Sequence, residues 1–237
     1  MALLSVEHVT RRFGGVVAVD DVSLAVTAGE IAGLIGPNGA GKTTVFNLIT
    51  GLYRPDGGGE ISFDGETLLK TPPHRVVRRG IARTFQNVEL FPSLTVLENV
   101  AVGAHARAGE RTAAEVLDDL GLASLARRAA AGLPFGTQKR IELARALASG
   151  PKLLLLDEPA GGLNHEEVDE LGGLILRIRS AFETTILLVE HHMSLVMSIA
   201  DCVHVLDFGR KIAEGTPAEI QASPAVREAY LGSEDAA

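Results

Sequence analysis

Residues 36–44 read GPNGAGKTT, and this stretch decides the fold. Gly36, Gly41, Lys42 and Thr43 match G-x-x-x-x-G-K-[ST], a pattern in which a glycine-rich loop joins a strand to a helix. The apolar run EIAGLIG precedes the loop, and residues at helical spacing follow it. The stretch therefore predicts an α/β domain with a phosphate-binding turn between a strand and a helix.

The chemistry of phosphate binding explains the residue types in this loop. Glycines let several backbone N–H groups converge on phosphate oxygens, and the N-terminus of the following helix adds partial positive charge. The Lys42 ammonium can reach the β- and γ-phosphates of a nucleoside triphosphate, and the Thr43 hydroxyl can bind Mg²⁺. The residues expected to hold the nucleotide here are Gly36, Pro37, Asn38, Gly39, Ala40, Gly41, Lys42, Thr43 and Thr44.

A second apolar run, KLLLLDEP, ends in the adjacent carboxylates Asp157 and Glu158. Its four leucines predict a strand buried on both faces, and two carboxylates there are unfavourable unless a cation or a reacting group compensates them. Ligands of open α/β sheets lie at the carboxyl ends of strands. Asp157 is expected to hold Mg²⁺ through water, and Glu158 to act as the general base on an attacking water.

Two other polar residues close strand-like segments. Gln86 ends GIARTFQ, where its amide can bind Mg²⁺ or the attacking water; the alternative is an ordinary surface glutamine. His191 ends TTILLVEH and can donate a hydrogen bond to the γ-phosphate or orient water, although a lone histidine is more often structural. The adjacent pair His191 and His192 is not expected to converge on one metal ion.

Residues 132–147, GLPFGTQKRIELARAL, predict a loop that runs into an amphipathic helix. Its apolar face is formed by Ile141, Ala144, Leu147 and Ala148. Such a junction is an ordinary structural feature when it is considered alone. A helix N-terminus aimed at an anion is the alternative.

Three other segments carry local signals. GGGEISFDGETL predicts hairpin strands with a tight turn at Asp64-Gly65, and CVHVLDFGRKIAEG predicts a terminal hairpin with Phe208-Gly209 near its turn. AAEVLDDLGLASLARRA, from Ala113 onward, has the spacing of a helix. Short helices and then an acidic tail are expected at the end of the sequence.

Composition sets the wider limits. Strands alternate with helices, and few residues are aromatic, at 4% with no Trp, which favours a doubly wound, mainly parallel sheet. A net charge of −8 argues against a nucleic-acid surface, and the single cysteine, Cys202, excludes an intramolecular disulfide. We see no signal peptide and no apolar run near the ~18 residues of a membrane span. The expectation is a cytosolic chain that reaches a membrane only through another protein.

The order of these elements, GPNGAGKTT, Gln86, LPFGT, LLLLDEP and His191, resembles that of the ATP-binding cassette (ABC) ATPases. The resemblance implies a P-loop NTPase α/β fold with a mainly parallel core sheet, an antiparallel β subdomain and a helical insert. Residues 1–86 and 150–237 would form the nucleotide-binding core with its N-terminal β subdomain, and residues 87–149 the helical subdomain. Together they would make one ABC transporter domain.

Several finer stretches are similar to the ATPases of branched-chain amino acid importers. These are RFGGVVAVDDVSL, RRGIARTFQNVELFPSLTVLENV, DEPAGGLN, VEHHMSLVMSIADCVHVL and EAYLG. The resemblance implies that Phe13 stacks on adenine, the alternative being a strand-end core residue. It also implies that Gln86 contacts the metal and a transmembrane partner, that the loop 160–164 crosses a dimer interface, and that His191 is the switch histidine.

Leu133 to Thr137 stands where the family usually carries Leu-Ser-Gly-Gly-Gln. Pro134 offers neither a hydroxyl nor an N–H, so only the amides of Phe135, Gly136 and Thr137 remain to face the ATP of a partner cassette. The sequence therefore suggests a depleted signature and two unequal ATP sites in the working dimer.

The resemblance as a whole implies an ATP- and Mg²⁺-dependent ATPase that powers uptake of amino acids, branched-chain ones first. It would lie in the cytoplasm on the inner face of the cell membrane. Its partners would be transmembrane permease subunits, a second ABC ATPase in a homo- or heterodimer and, indirectly, an extracytoplasmic solute-binding protein, with no nucleic acid. Alternatives are a soluble ABC ATPase acting on nucleic acid or ribosomes, an importer of urea, amides or another solute, and a P-loop kinase or nucleotide-binding regulator.

Overall fold

A computed structural model describes residues 2–105, 107 and 110–231. Residues 232–237, which include the predicted acidic tail, lie outside the described residues. The strands are β1 (Ala2–Phe13), β2 (Val16–Thr27), β3 (Ile31–Ile35), β4 (Glu60–Phe63), β5 (Glu66–Thr67), β6 (Ile81–Arg83), β7 (Leu153–Asp157), β8 (Thr185–Val189), β9 (Cys202–Asp207) and β10 (Arg210–Gly215). The helices are α1 (Lys42–Ile49), α2 (Pro73–Val76), α3 (Val96–Ala104), α4 (Ala113–Asp119), α5 (Phe135–Leu147), α6 (His165–Ala181), α7 (Met193–Ile199), α8 (Pro217–Ala222) and α9 (Pro224–Leu231). Short 3₁₀ helices span Val77–Arg79 and Ala123–Leu125.

The chain divides into two compact units. The first unit contains the residues up to Val76 and those from Thr185 onward, and the second unit is Val77–Thr184. The helical subdomain predicted over 87–149 falls within the second unit, and its boundaries stay a prediction.

An antiparallel sheet with the strand order β2-β1-β4-β5 lies in the first unit. β1 pairs with β2 on one side and with β4 on the other. The hairpin between β4 and β5 turns at Asp64 and Gly65, whose φ angles are 52° and 76°. Positive φ at both turn residues fits a type I′ turn, which confirms the tight turn predicted here.

A mainly parallel arrangement, in the order β10-β9-β3-β8, completes the first unit. β3 is parallel to both β8 and β9, and every residue of β3 and β8 is buried. β10 returns antiparallel to β9 through a turn at Phe208 and Gly209, which confirms the predicted terminal hairpin. Leu34 of β3 lies opposite Val189 of β8, so these two strands end at the same edge.

In the second unit, β6 is parallel to β7, with Arg83 opposite Leu155. All five residues of β7 are buried, as the run of four leucines predicts for a strand covered on both faces. The carboxyl ends of β6 and β7 therefore lie side by side.

The described residues between 87 and 150 form helices and an isolated bridge but no extended strand, as expected for a helical insert. The predicted apolar residues Ile141, Ala144 and Leu147 of α5 and its C-cap residue Ala148 are all buried. The helix predicted from Ala113 onward is shorter than expected. It ends at Asp119, since Gly121 takes a left-handed φ of 67°, and the chain continues into a 3₁₀ turn.

Four helices, α3, α4, α6 and α8, begin with a capping box. In each, a Thr or Asn side chain accepts from the backbone of a glutamate three residues on, and that glutamate accepts from the capping backbone in return. These hydrogen bonds, the backbone one first, lower the pKa of Glu98, Glu115 and Glu219. The first N–H groups of these helices are thus partly occupied by their own side chains.

Among the helices of the described residues, none combines the length and hydrophobicity that crossing a membrane requires.

Candidate functional site

The phosphate loop closes around its own lysine. Lys42 Nζ donates hydrogen bonds to the carbonyl oxygens of Gly36 at 2.7 Å and Pro37 at 3.0 Å, and the residue is only 7% exposed. The ammonium is therefore held inside the loop, where it can exchange carbonyl oxygens for phosphate oxygens.

Two glycines of the loop are required by its geometry. At Gly36, with φ at 151°, a Cβ would lie 2.1 Å from the carbonyl oxygen of Leu206. At Gly41, with φ at 102°, a Cβ would lie 2.4 Å from the carbonyl oxygen of Ala18. Any side chain here would force the loop away from the strands that support it.

The loop leads into α1 without a side-chain cap. Gly41 is the N-cap residue, and the Val45 N–H donates to its carbonyl oxygen at 3.0 Å. In an α-helix the first N–H groups have no acceptor within the helix. The start of α1 therefore presents the amides of Lys42, Thr43 and Thr44 together with the positive end of the helix dipole. This is the geometry expected of an anion site.

Phe13 ends β1 with 39% of its surface exposed. Its ring packs edge-on against Tyr53, with 5.1 Å between centroids, and the Arg11 guanidinium lies 4.9 Å from its centroid. The alternative interpretation, a core residue at the strand end, is wrong because the ring is open to solvent. Stacking on adenine stays a prediction.

His191 lies beyond the same sheet edge as the phosphate loop. Leu34 and Val189 lie opposite each other in the sheet. Gly36 comes two residues after Leu34, and His191 comes two residues after Val189. The fully buried Glu190 accepts the backbone N–H groups of His191 at 3.0 Å and His192 at 3.2 Å. This carboxylate fixes the turn that carries His191, whose side chain is half exposed.

Three of the predicted residues come together in the second unit, where β6 and β7 end. Gln86 Nε2 donates to Glu158 Oε2 at 2.7 Å, and Glu158 directly follows the buried Asp157. Glu158 has a left-handed φ of 47°, a conformation that is unfavourable for a residue with a Cβ. The backbone is therefore strained where the candidate general base is placed.

Arg83 is a partner of Asp157 that the sequence reasoning missed. Arg83 Nη2 donates to Asp157 Oδ2 at 2.7 Å, and the two side chains are 8% and 3% exposed. The other carboxylate oxygen, Asp157 Oδ1, is buried and has no hydrogen-bond partner. A buried oxygen that can only accept is suited to a cation or to a metal-bound water. Asp157 therefore fits the magnesium ligand that the fold family implies.

The start of α5 resembles the start of α1 in lacking a side-chain cap. Pro134 is the N-cap residue, and Gln138 N–H donates to its carbonyl oxygen at 3.0 Å. The amides of Phe135, Gly136 and Thr137 therefore belong to an uncapped first turn, as the anion-facing alternative requires. The seven-residue α7, which follows His192, also lacks a side-chain cap.

Lys139, which sequence reasoning also missed, connects this helix to the backbone of Glu158. Its Nζ donates to the carbonyl oxygen of Glu158 at 3.2 Å and lies 5.3 Å from the centroid of the Phe135 ring. The only sequence signal for this role was the position of Lys139, one turn after the start of the predicted helix. Gly136 packs closely as well, because a Cβ there would lie 3.2 Å from Glu167 Oε1.

Comparison with known families matches residues 19–161 to the model described as ABC transporter. The chain belongs to the ABC transporter family. A second model, described as branched-chain amino acid ATP-binding cassette transporter, matches residues 210–236 of this ABC protein. The family resemblance seen in the sequence is thereby confirmed.

Curated relatives of this ABC protein include two of nearly equal length. It is 44% identical to the high-affinity branched-chain amino acid transport ATP-binding protein BraF of Pseudomonas aeruginosa, and the match covers 97% of this chain and 98% of the relative. The identity to LivG of Escherichia coli strain K12, which has the same description, is also 44% with the same coverage.

A solved ATP-binding cassette of an ABC transporter, in its ADP conformation, superimposes with a TM-score of 0.89 at 30% identity. The match covers 98% of this chain and 99% of that one. The predicted ABC ATPase fold is confirmed, and the family binds nucleotide. ATP-binding subunits of ABC transporters are ATPases coupled to transport, so the expected class of enzyme is confirmed as well.

Proposed function

We propose that this chain is the ATP-hydrolysing subunit of an importer of branched-chain amino acids. The observation that carries the proposal is the near-complete match to BraF and LivG, at 44% identity over 97% of this chain. The match of residues 210–236 to the branched-chain amino acid model supports the same subgroup through a different part of the sequence.

The phosphate loop is assigned to nucleotide binding. The Lys42 ammonium binds the β- and γ-phosphates after releasing the carbonyl oxygens of Gly36 and Pro37, and the uncapped start of α1 supplies main-chain donors. Phe13, exposed beside Tyr53, offers a ring face for adenine.

Glu158 is assigned as the general base. It takes the proton of the attacking water, and Gln86, which donates to its carboxylate, orients both the base and the water. His191 is assigned a hydrogen bond to the γ-phosphate, with Glu190 fixing its backbone.

Asp157 is the residue whose geometry best fits the metal, because Arg83 binds its Oδ2 atom while its buried Oδ1 atom has no hydrogen-bond partner. When bound, Mg²⁺ neutralises charge on the β- and γ-phosphates. Thr43 and Gln86 as further ligands stay predictions from the family resemblance.

We assign membrane permease subunits as partners, with a second cassette that is identical or different. The amides of Phe135, Gly136 and Thr137 then face the ATP of that second cassette. Placement on the inner face of the membrane follows from this assembly.

The test is reconstitution of the chain with permease subunits and a solute-binding protein from the same organism. Leucine, isoleucine or valine with the binding protein should stimulate ATP hydrolysis, and urea or aspartate should not. Stimulation by urea or aspartate alone would assign another solute.

Glu158→Gln tests the mechanism in the same assembly. It should bind a fluorescent ATP analogue as the native chain does while turnover falls by about 10²- to 10⁴-fold, the usual contribution of a general base. Turnover within twofold of the native chain would remove Glu158 as the base.

A further inference from the structure

Cys202, His204 and Glu214 form a cluster on the hairpin of β9 and β10 that no step of ATP hydrolysis uses. His204 lies opposite Glu214 in the register of the two strands. Cys202 precedes His204 by two residues, so both side chains lie on the same face of β9. The thiol sulfur, an imidazole nitrogen and a carboxylate oxygen all lie within 4.8 Å of one another.

His204 presents a lone pair to this cluster. Its Nε2 lies 3.2 Å from the carbonyl oxygen of Ala25, which can only accept, so Nε2 carries the proton. The other nitrogen, Nδ1, is buried without a hydrogen-bond partner, and the whole side chain is 0% exposed. Nδ1 lies 3.5 Å from Glu214 Oε2. Metal-binding histidines show this arrangement, one nitrogen bonded to a carbonyl group and the other free to bind the ion.

The charges around the cluster favour a cation. Glu30 and Glu214 both act on Cys202 and His204, and the facing positive group is Lys211, whose Nζ lies 2.5 Å from Glu214 Oε2. Cys202 is a free, half-buried cysteine.

We propose that Cys202, His204 and Glu214 form a binding site for a borderline-soft divalent cation, with Zn²⁺ as the best match. One sulfur, one imidazole and one carboxylate make a three-ligand set of the kind that Zn²⁺ accepts with a fourth, open position. The thiolate distinguishes this site from the oxygen ligands that Mg²⁺ requires. The bound ion joins β9 to β10 by side chains in addition to backbone hydrogen bonds.

The experiment uses the full chain, treated with a chelator and kept reduced by a phosphine that does not bind metals. Zn²⁺ affinity is measured by competition with a fluorescent indicator, and Co²⁺ serves as the spectroscopic probe. Because Cys202 is the only cysteine, a thiolate-to-cobalt charge-transfer band reports on this cluster alone. Neither measurement needs nucleotide, so the result is independent of the proposed transport function.

We expect one Zn²⁺ per chain and a charge-transfer band with Co²⁺. Cys202→Ser should weaken Zn²⁺ binding by at least about tenfold and abolish the band, and Glu214→Gln should weaken binding several-fold. His165→Gln, which removes an exposed imidazole at the start of α6, is the matched control and should change nothing.

The native chain alone can overturn the proposal, whatever the folding of the variants. Absence of Zn²⁺ binding at micromolar concentrations, or a Co²⁺ complex without the band, would do so. Native-like affinity in Cys202→Ser would assign the ion to other histidines and would also overturn it.

Discussion

Replacing Pro134 by Ser tests whether the start of α5 acts on a phosphate. Pro134 is an N-cap residue with φ at −52° and ψ at 146°, angles in the extended region that serine N-caps adopt. Serine therefore fits without moving the backbone. Its hydroxyl would lie at the uncapped first turn, where it can bond a main-chain N–H or an oxygen of a partner's ATP.

The two effects of the substitution differ in size. A hydrogen bond to a charged phosphate contributes about 1.5–3 kcal/mol, which is roughly 10- to 150-fold in turnover when it acts only in the transition state. Without nucleotide, the new cap stabilises by about 0.5–2 kcal/mol, and loss of the proline ring costs about 0.4–1 kcal/mol. Turnover should therefore rise at least about tenfold, and the free energy of unfolding should change by about 1.5 kcal/mol at most.

The assay is steady-state ATP hydrolysis by the assembled transporter, with Pro134→Ala as the matched control. Alanine loses the same ring but adds no hydroxyl, so the ratio of the Ser to the Ala variant isolates the hydrogen bond. Equal turnover of the two variants, within twofold, would refute the reasoning and with it the idea that Pro134 makes the two ATP sites unequal.

Three further predictions rest on the structure. Arg83→Met leaves Asp157 buried and unpaired, so the free energy of unfolding, measured by urea without Mg²⁺, should fall by about 3–5 kcal/mol. Adding Asp157→Asn should recover most of that loss. A loss below about 1 kcal/mol would contradict a buried ion pair. Gly36→Ala would place a Cβ 2.1 Å from a carbonyl oxygen of β9 and should abolish binding of a fluorescent ATP analogue. Gly15→Ala, which meets nothing within 4 Å, is its control and should bind normally. Burial raises the pKa of Glu142 above 4.5, so the stability linked to its neutral form is present below that pH and is lost as pH rises through the folded pKa. The free energy of unfolding of Glu142→Gln should therefore increase relative to that of the native chain as pH rises above 4.5 in urea titrations, and a difference independent of pH would contradict this.

Local patterns were enough to predict most of the fold. The buried parallel strands follow from short runs of Leu, Ile and Val, and the hairpin turns follow from Asp64-Gly65 and Phe208-Gly209. The loop 36–44 and the helix after it could be placed because glycine spacing and apolar spacing are both local signals.

The pairings at the site could not be predicted in the same way. Arg83 lies 74 residues before Asp157, and Phe13 and Tyr53 are also distant in sequence. No periodic pattern connects residues so far apart. Glu142 was missed for a related reason. A glutamate on a helix of mixed polarity is expected to be exposed, and its burial here depends on a hydrogen bond from the backbone N–H of Phe85, 57 residues earlier in the chain.

The left-handed backbone at Glu158 sets folding against chemistry at one position. Holding a residue with a Cβ at φ 47° costs about 1–3 kcal/mol, and glycine would relieve that cost. Selection for thermal stability alone would therefore favour replacement of Glu158 by glycine. Screens for hardier versions of this cassette should keep selecting inactive glycine variants at residue 158 unless turnover is demanded in the same round.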